Sequence, residues 1–151
     1  MGIRVLDIVE ETMVDGPGLR TSIYCAGCAH QCQGCHNPQS WDFAGGEEIS
    51  VEDLFEKIAS DPFSDVTFTG GDPLYQVEEF TRIAKLIKER TKKTIWCYTG
   101  FLYEDILASE HLSQILQYID VLVDGPYIET LRDQELPFRG SSNQRIITLN
   151  E

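Results

Sequence analysis

Three short runs of β-branched and aromatic residues each stop at a glycine: Asp65–Thr69 before Gly70-Gly71, Thr94–Tyr98 before Thr99-Gly100, and Asp120–Asp124 before Gly125. Between them the apolar period changes from strand-like to helical. Val77, Phe80, Ile83, Ala84 and Ile87 recur at three- and four-residue spacing, which predicts a helix over 76–90. Ser50 reads as an N-cap with Asp53 at the capping-box position, ahead of a face made by Val51, Leu54, Phe55 and Ile58. A third helical region covers about 103–118, with a break near Ser109. Residues 3–9, 19–24 and 145–149 complete the set of expected strands, and 126–144 reads as irregular. Strands alternating with helices predict an α/β fold of right-handed βαβ units around a parallel sheet. With no linker or repeat apparent, 1–151 is expected to be a single domain.

Charge narrows the function classes. The chain has 12 Lys and Arg against 25 Asp and Glu, a net charge of −13, and no basic stripe. That argues against a nucleic-acid partner, which needs clustered cations to meet phosphates. Acidic pairs such as Glu47-Glu48 and Glu78-Glu79 read as solvated surface. No stretch of about 18 apolar residues is present to span a membrane. Charges at Arg4, Asp7 and Glu10 break up any apolar leader in the first ten residues, so a cytoplasmic location is expected.

Four of the 5 cysteines, Cys25, Cys28, Cys32 and Cys35, crowd into one glycine-containing loop after the predicted strand 19–24. In a reducing compartment such crowding points to metal rather than to disulfides. Thiolates suit an iron–sulfur cluster or zinc. A four-iron cubane usually takes four cysteines, so a set of three leaves one iron open for another ligand. Gly27 and Gly34 give the backbone room to wrap a bulky group. The alternative is a closed four-cysteine zinc knot using Cys25 as well, although only three residues separate the two cysteine pairs. Cys97, between Trp96 and Tyr98 in a predicted strand, reads as a core thiol.

The spacing Cys28-x3-Cys32-x2-Cys35 at the end of an early strand resembles the cluster loop of radical S-adenosylmethionine (SAM) enzymes, and Gly70-Gly71-Asp72-Pro73 is similar to that superfamily's Gly-Gly-Glu-Pro-type loop. Asp15-Gly-Pro-Gly-Leu-Arg20, His36-Asn37-Pro38 and Trp41 resemble the activases of glycyl radical enzymes. Within that group, Ile95–Gly100, Val121–Gly125 and Phe138–Gln144 look like the activating enzymes of anaerobic ribonucleoside-triphosphate reductase, a likeness running from about residue 7 to residue 149.

The resemblance implies a shortened, open partial (β/α) barrel of the radical SAM type, since about 250 residues are needed for a full one. It implies a 4Fe-4S cluster on Cys28, Cys32 and Cys35, with S-adenosyl-L-methionine bound by Gly34, Cys35, His36, Gly70, Gly71 and Asp72. Thr99 and Asp124, at later strand ends, are further candidates for contacts to cofactor or substrate. No catalytic side chain is implied beyond the cluster. The implied reaction is release of a 5′-deoxyadenosyl radical that takes a hydrogen atom from a backbone glycine of the partner. That partner is the anaerobic (class III) reductase, and an electron donor such as flavodoxin or ferredoxin is implied with it. Arg139–Gln144 is a candidate docking segment, and Cys25 has no assigned role. An activase of another glycyl radical enzyme, such as pyruvate formate-lyase, is the nearest alternative, and a non-catalytic zinc-binding module is the alternative of a different class.

Overall fold

The computed structural model describes residues 2–13, 16–28, 30, 42, 45–133 and 135–150. Seven strands form one open sheet: β1 (Gly2–Thr12), β2 (Arg20–Cys25), β3 (Glu47–Ser50), β4 (Asp65–Gly70), β5 (Ile95–Tyr98), β6 (Val121–Asp124) and β7 (Arg145–Thr148). Their order across the sheet is β3-β1-β2-β4-β5-β6-β7. The helices are α1 (Val51–Ala59), α2 (Val77–Arg90), α3 (Tyr103–Leu107) and α4 (Glu110–Ser113).

The expected parallel sheet holds for its centre alone. β2, β4, β5 and β6 are parallel neighbours. The β1–β2, β1–β3 and β6–β7 pairings are antiparallel, so the sheet is mixed. The reason at β1–β2 is the short link through Gly16-Pro17-Gly18. It makes a hairpin, whereas a parallel return needs a crossover of a dozen or more residues. The strand β3 was not expected at all; its Glu47 and Glu48 are exposed, as read, but lie in an edge strand.

Elsewhere the periodicity reads through. Ser50 caps α1 by accepting a hydrogen bond from the Asp53 amide, and α2 buries Val77, Phe80, Ile83, Ala84 and Ile87 as spaced. The third helical region is interrupted at Ser109, whose hydroxyl accepts from the Leu112 amide to start α4.

Because the parallel strands follow one another in one direction, right-handed crossovers place their helices on one face of the sheet. Ile23, Cys25, Val66, Phe68, Ile95, Cys97 and Leu122 point that way and pack with the apolar faces of α1 and α2. The opposite face is more polar. There Arg20, fully buried, donates to the Thr67 hydroxyl and to the carbonyls of Pro17, Val66 and Thr94. Its guanidinium lies 5.7 Å from the Trp96 ring centre, and Phe138, from the irregular segment 126–144, meets Trp96 edge-on at 5.4 Å. This floor closes the amino-terminal end of the parallel strands and leaves their carboxyl ends to carry the loops. No helix among the described residues is long and apolar enough to cross a membrane.

Candidate functional site

All four parallel strands end at one edge, which brings together the segments after Cys25, Gly70, Tyr98 and Asp124. Function in α/β sheets gathers at such carboxyl ends. Backbone contact between the first two segments is close. Gly70 sits at φ +105°, and a Cβ there would lie 2.3 Å from the Cys25 nitrogen and 2.6 Å from its oxygen, so glycine is required. The Gly71 amide donates to the Cys25 carbonyl, and the Asp72 amide to the Gly27 carbonyl. Gln76 adds a third tie by donating to the carbonyls of Ala26 and Arg4.

Burial separates the cysteines. Cys25 and Cys97 are fully buried in the apolar core, and each thiol is pushed well above the ordinary value by loss of water, with the nearby Asp72 adding to the effect. Both side chains pack inside the apolar core formed by the sheet and α1 and α2. Cys97 is the core thiol expected of it. Cys28 is half-buried just beyond the end of β2 and belongs to no disulfide. Cys32, Gly34, Cys35 and His36 lie outside the described residues. Among the described residues no three His, Cys, Asp or Glu side chains converge as a metal site.

Asp72 is the hub of the edge. Its carboxylate is fully buried and accepts from the amides of Leu74 and Gly100 and from the Thr99 hydroxyl, and it lies 2.7 Å from His30 Nε2. A side chain read from sequence as a cofactor contact thus has its oxygens engaged within the fold, as does Thr99. Asp124 is similarly enclosed. It accepts from the Tyr103 amide at the start of α3 and pairs with Arg145, whose other face grips Glu104 at 2.7 and 2.8 Å. The segment Arg139–Gln144 is bound mostly to itself and to its neighbours. Gln144 accepts from the Gly140 and Ser141 amides and donates to the Gly125 carbonyl, and Asn143 donates to the Pro126 carbonyl.

Sequence reasoning missed His30, Gln76 and Arg20. His30 lies inside the cysteine motif and Arg20 ends the Asp15–Arg20 segment that carries the resemblance, and those positions were the available signals; Gln76 gave none.

A model of the 4Fe-4S single cluster domain family matches residues 14–147. The chain is 37% identical over 139 residues to the anaerobic ribonucleoside-triphosphate reductase-activating protein of Enterobacteria phage T4, covering 88% of this chain and 86% of that one. It is 33% identical to the protein of the same name from Haemophilus influenzae, covering 89% of this chain and 90% of the relative. The Escherichia coli K12 protein of that name is 34% identical, over 87% of this chain and 90% of its own.

Proposed function

Because the chain belongs to the 4Fe-4S single cluster domain family, among the anaerobic ribonucleoside-triphosphate reductase-activating proteins, we propose that it is a radical SAM enzyme that installs a glycyl radical on that reductase. The whole chain, 1–151, serves as one radical SAM domain, and the consecutive parallel strands β2-β4-β5-β6 are consistent with a shortened, open partial barrel. Cys28, Cys32 and Cys35 hold the cluster as thiolates. When bound, the reduced cluster supplies the electron that breaks a carbon–sulfur bond of S-adenosylmethionine. The products are methionine and a 5′-deoxyadenosyl radical, which takes a hydrogen atom from the partner's glycine.

The chain's own residues bind and orient. An ammonium group needs acceptors, and the amides of Gly71 and Asp72 already donate to the cysteine loop. The methionyl amino group is therefore received by carbonyl oxygens of the Gly70–Asp72 loop, which Asp72 holds in shape. Gly34, Cys35 and His36 line the remainder of the cofactor site. An electron donor such as flavodoxin or ferredoxin reduces the cluster.

The observation that carries this reading is the sorting of the cysteines. Cys25 is sealed in the core while Cys28 emerges half-buried at the strand end, which supports a ligand set of Cys28, Cys32 and Cys35 with one iron left open. The test is to mix the anaerobic protein with the reductase, a reductant and S-adenosylmethionine and to record the electron paramagnetic resonance spectrum. A glycyl radical on the reductase is expected. Its absence there, with a radical formed on pyruvate formate-lyase, would reassign the partner.

A further inference from the structure

His30 is the middle residue between Cys28 and Cys32. Its side chain is only 17% exposed. The ring stands edge-on to Phe101 at 4.7 Å and lies 5.6 Å from Tyr75. Its Nε2 stands 2.7 Å from Asp72 Oδ2, at hydrogen-bond distance. Asp72 is in turn fixed by Leu74 at the 3₁₀ turn that follows β4 and by Thr99 and Gly100 at the end of β5. The other ties on this loop, from Gly71, Asp72 and Gln76, reach the backbone at Cys25, Gly27 and Ala26, all upstream of Cys28.

We propose that His30 is a positioning residue of the cysteine loop. Through Asp72 it ties the chain two residues beyond Cys28 to the ends of β4 and β5, and so sets where Cys28 stands relative to the Gly70–Asp72 loop that receives the cofactor. The proposal rests on the ligand set argued above. Holding Cys28 and the Gly70–Asp72 loop in register in advance of binding removes that ordering cost from the binding step.

Gly100 gives a route to the same effect without substituting either His30 or Asp72. A Cβ on Gly100 would lie 2.5 Å from His30 Cδ2 and 2.8 Å from Nε2, so Gly100→Ala displaces the ring. His30→Gln keeps an amide donor that reaches where Nε2 stands, and His30→Ala removes it.

The experiment uses the full chain, reconstituted without oxygen, as wild type and as these three variants. It reads iron content, the thermal midpoint, and the change in the reduced protein's electron paramagnetic resonance spectrum as S-adenosylmethionine is titrated. The expected result is wild-type folding throughout, with S-adenosylmethionine bound about tenfold more weakly or worse by His30→Ala and Gly100→Ala, the size of effect of one charge-assisted hydrogen bond. His30→Gln is expected to recover most of the affinity. Loss of iron from His30→Ala, restored in His30→Gln, supports the proposal equally. A wild-type titration curve in His30→Ala and Gly100→Ala, or no recovery in His30→Gln, overturns it while leaving the function intact. Wild-type protein that takes up no iron overturns the ligand set, and this proposal with it.

Discussion

A thiol and a thiolate are different reagents, and which of them each cysteine presents is decided by its surroundings. Cys25 and Cys97 are dry, with neighbouring Asp72 raising both thiols further. Cys25→Ala and Cys97→Ala are therefore expected to keep full iron and full cleavage of S-adenosylmethionine, at about 1 kcal/mol of stability each for the lost packing, read by denaturant unfolding. Cys28→Ala, Cys32→Ala and Cys35→Ala are each expected to abolish cleavage, measured as 5′-deoxyadenosine formed under reducing conditions. Full cleavage in any of the three would remove that residue from the ligand set. Away from the site, the two-pronged contact with Arg145 holds the Glu104 carboxyl at about 2, below its ordinary 4.5. A depressed carboxyl contributes stability above its unfolded value and loses it as pH falls through the folded one, so this pair persists through mild acid. Nuclear magnetic resonance titration should place Glu104 near 2 in the native chain, and nearer 4.5 in Arg145→Gln. An unchanged value in that variant would deny Arg145 the role.

At the scale of elements, spacing told most of the story because the core reads one face of each. Phe68 of β4 is fully buried and meets Phe80 of α2 at 4.8 Å. Phe68→Ala is expected to lose about 3–5 kcal/mol in a denaturant melt, since strand and helix cannot close on the void. Ser50→Ala is expected to lose about 1 kcal/mol with the α1 cap. A loss under half of either would mean that the packing or the cap is misjudged. What spacing could not show was β3. Four residues with two exposed glutamates carry no core signature, and the strand exists through its ladder with β1, far away in sequence. The same limit hid the Asp72 hub. Gly-Gly-Asp-Pro reads as a loop after a strand, but nothing local says that His30 and Thr99 will converge on its carboxylate.

For the whole molecule, strand direction was the least legible property, because each strand looks alike whichever way it runs. The hairpin through Gly16-Pro17-Gly18 was short enough to have shown β1 antiparallel to β2; the return of β7 along β6 after some twenty irregular residues was not. Arg20 ties β2 to β4 and to the residue before β5 from beneath, with Trp96 and Phe138 against it. Arg20→Met is expected to destabilise the chain by about 3 kcal/mol, because buried carbonyls lose a charged donor; a melt indistinguishable from wild type would show the floor to be dispensable. The frame brings the strand ends after Cys25, Gly70, Tyr98 and Asp124 to one edge of the sheet, with Cys28 half-buried just beyond the first of them. The most direct test is the iron and acid-labile sulfide content of protein purified without oxygen: about four of each per chain are expected, and about one zinc with no sulfide would contradict a cluster on Cys28, Cys32 and Cys35.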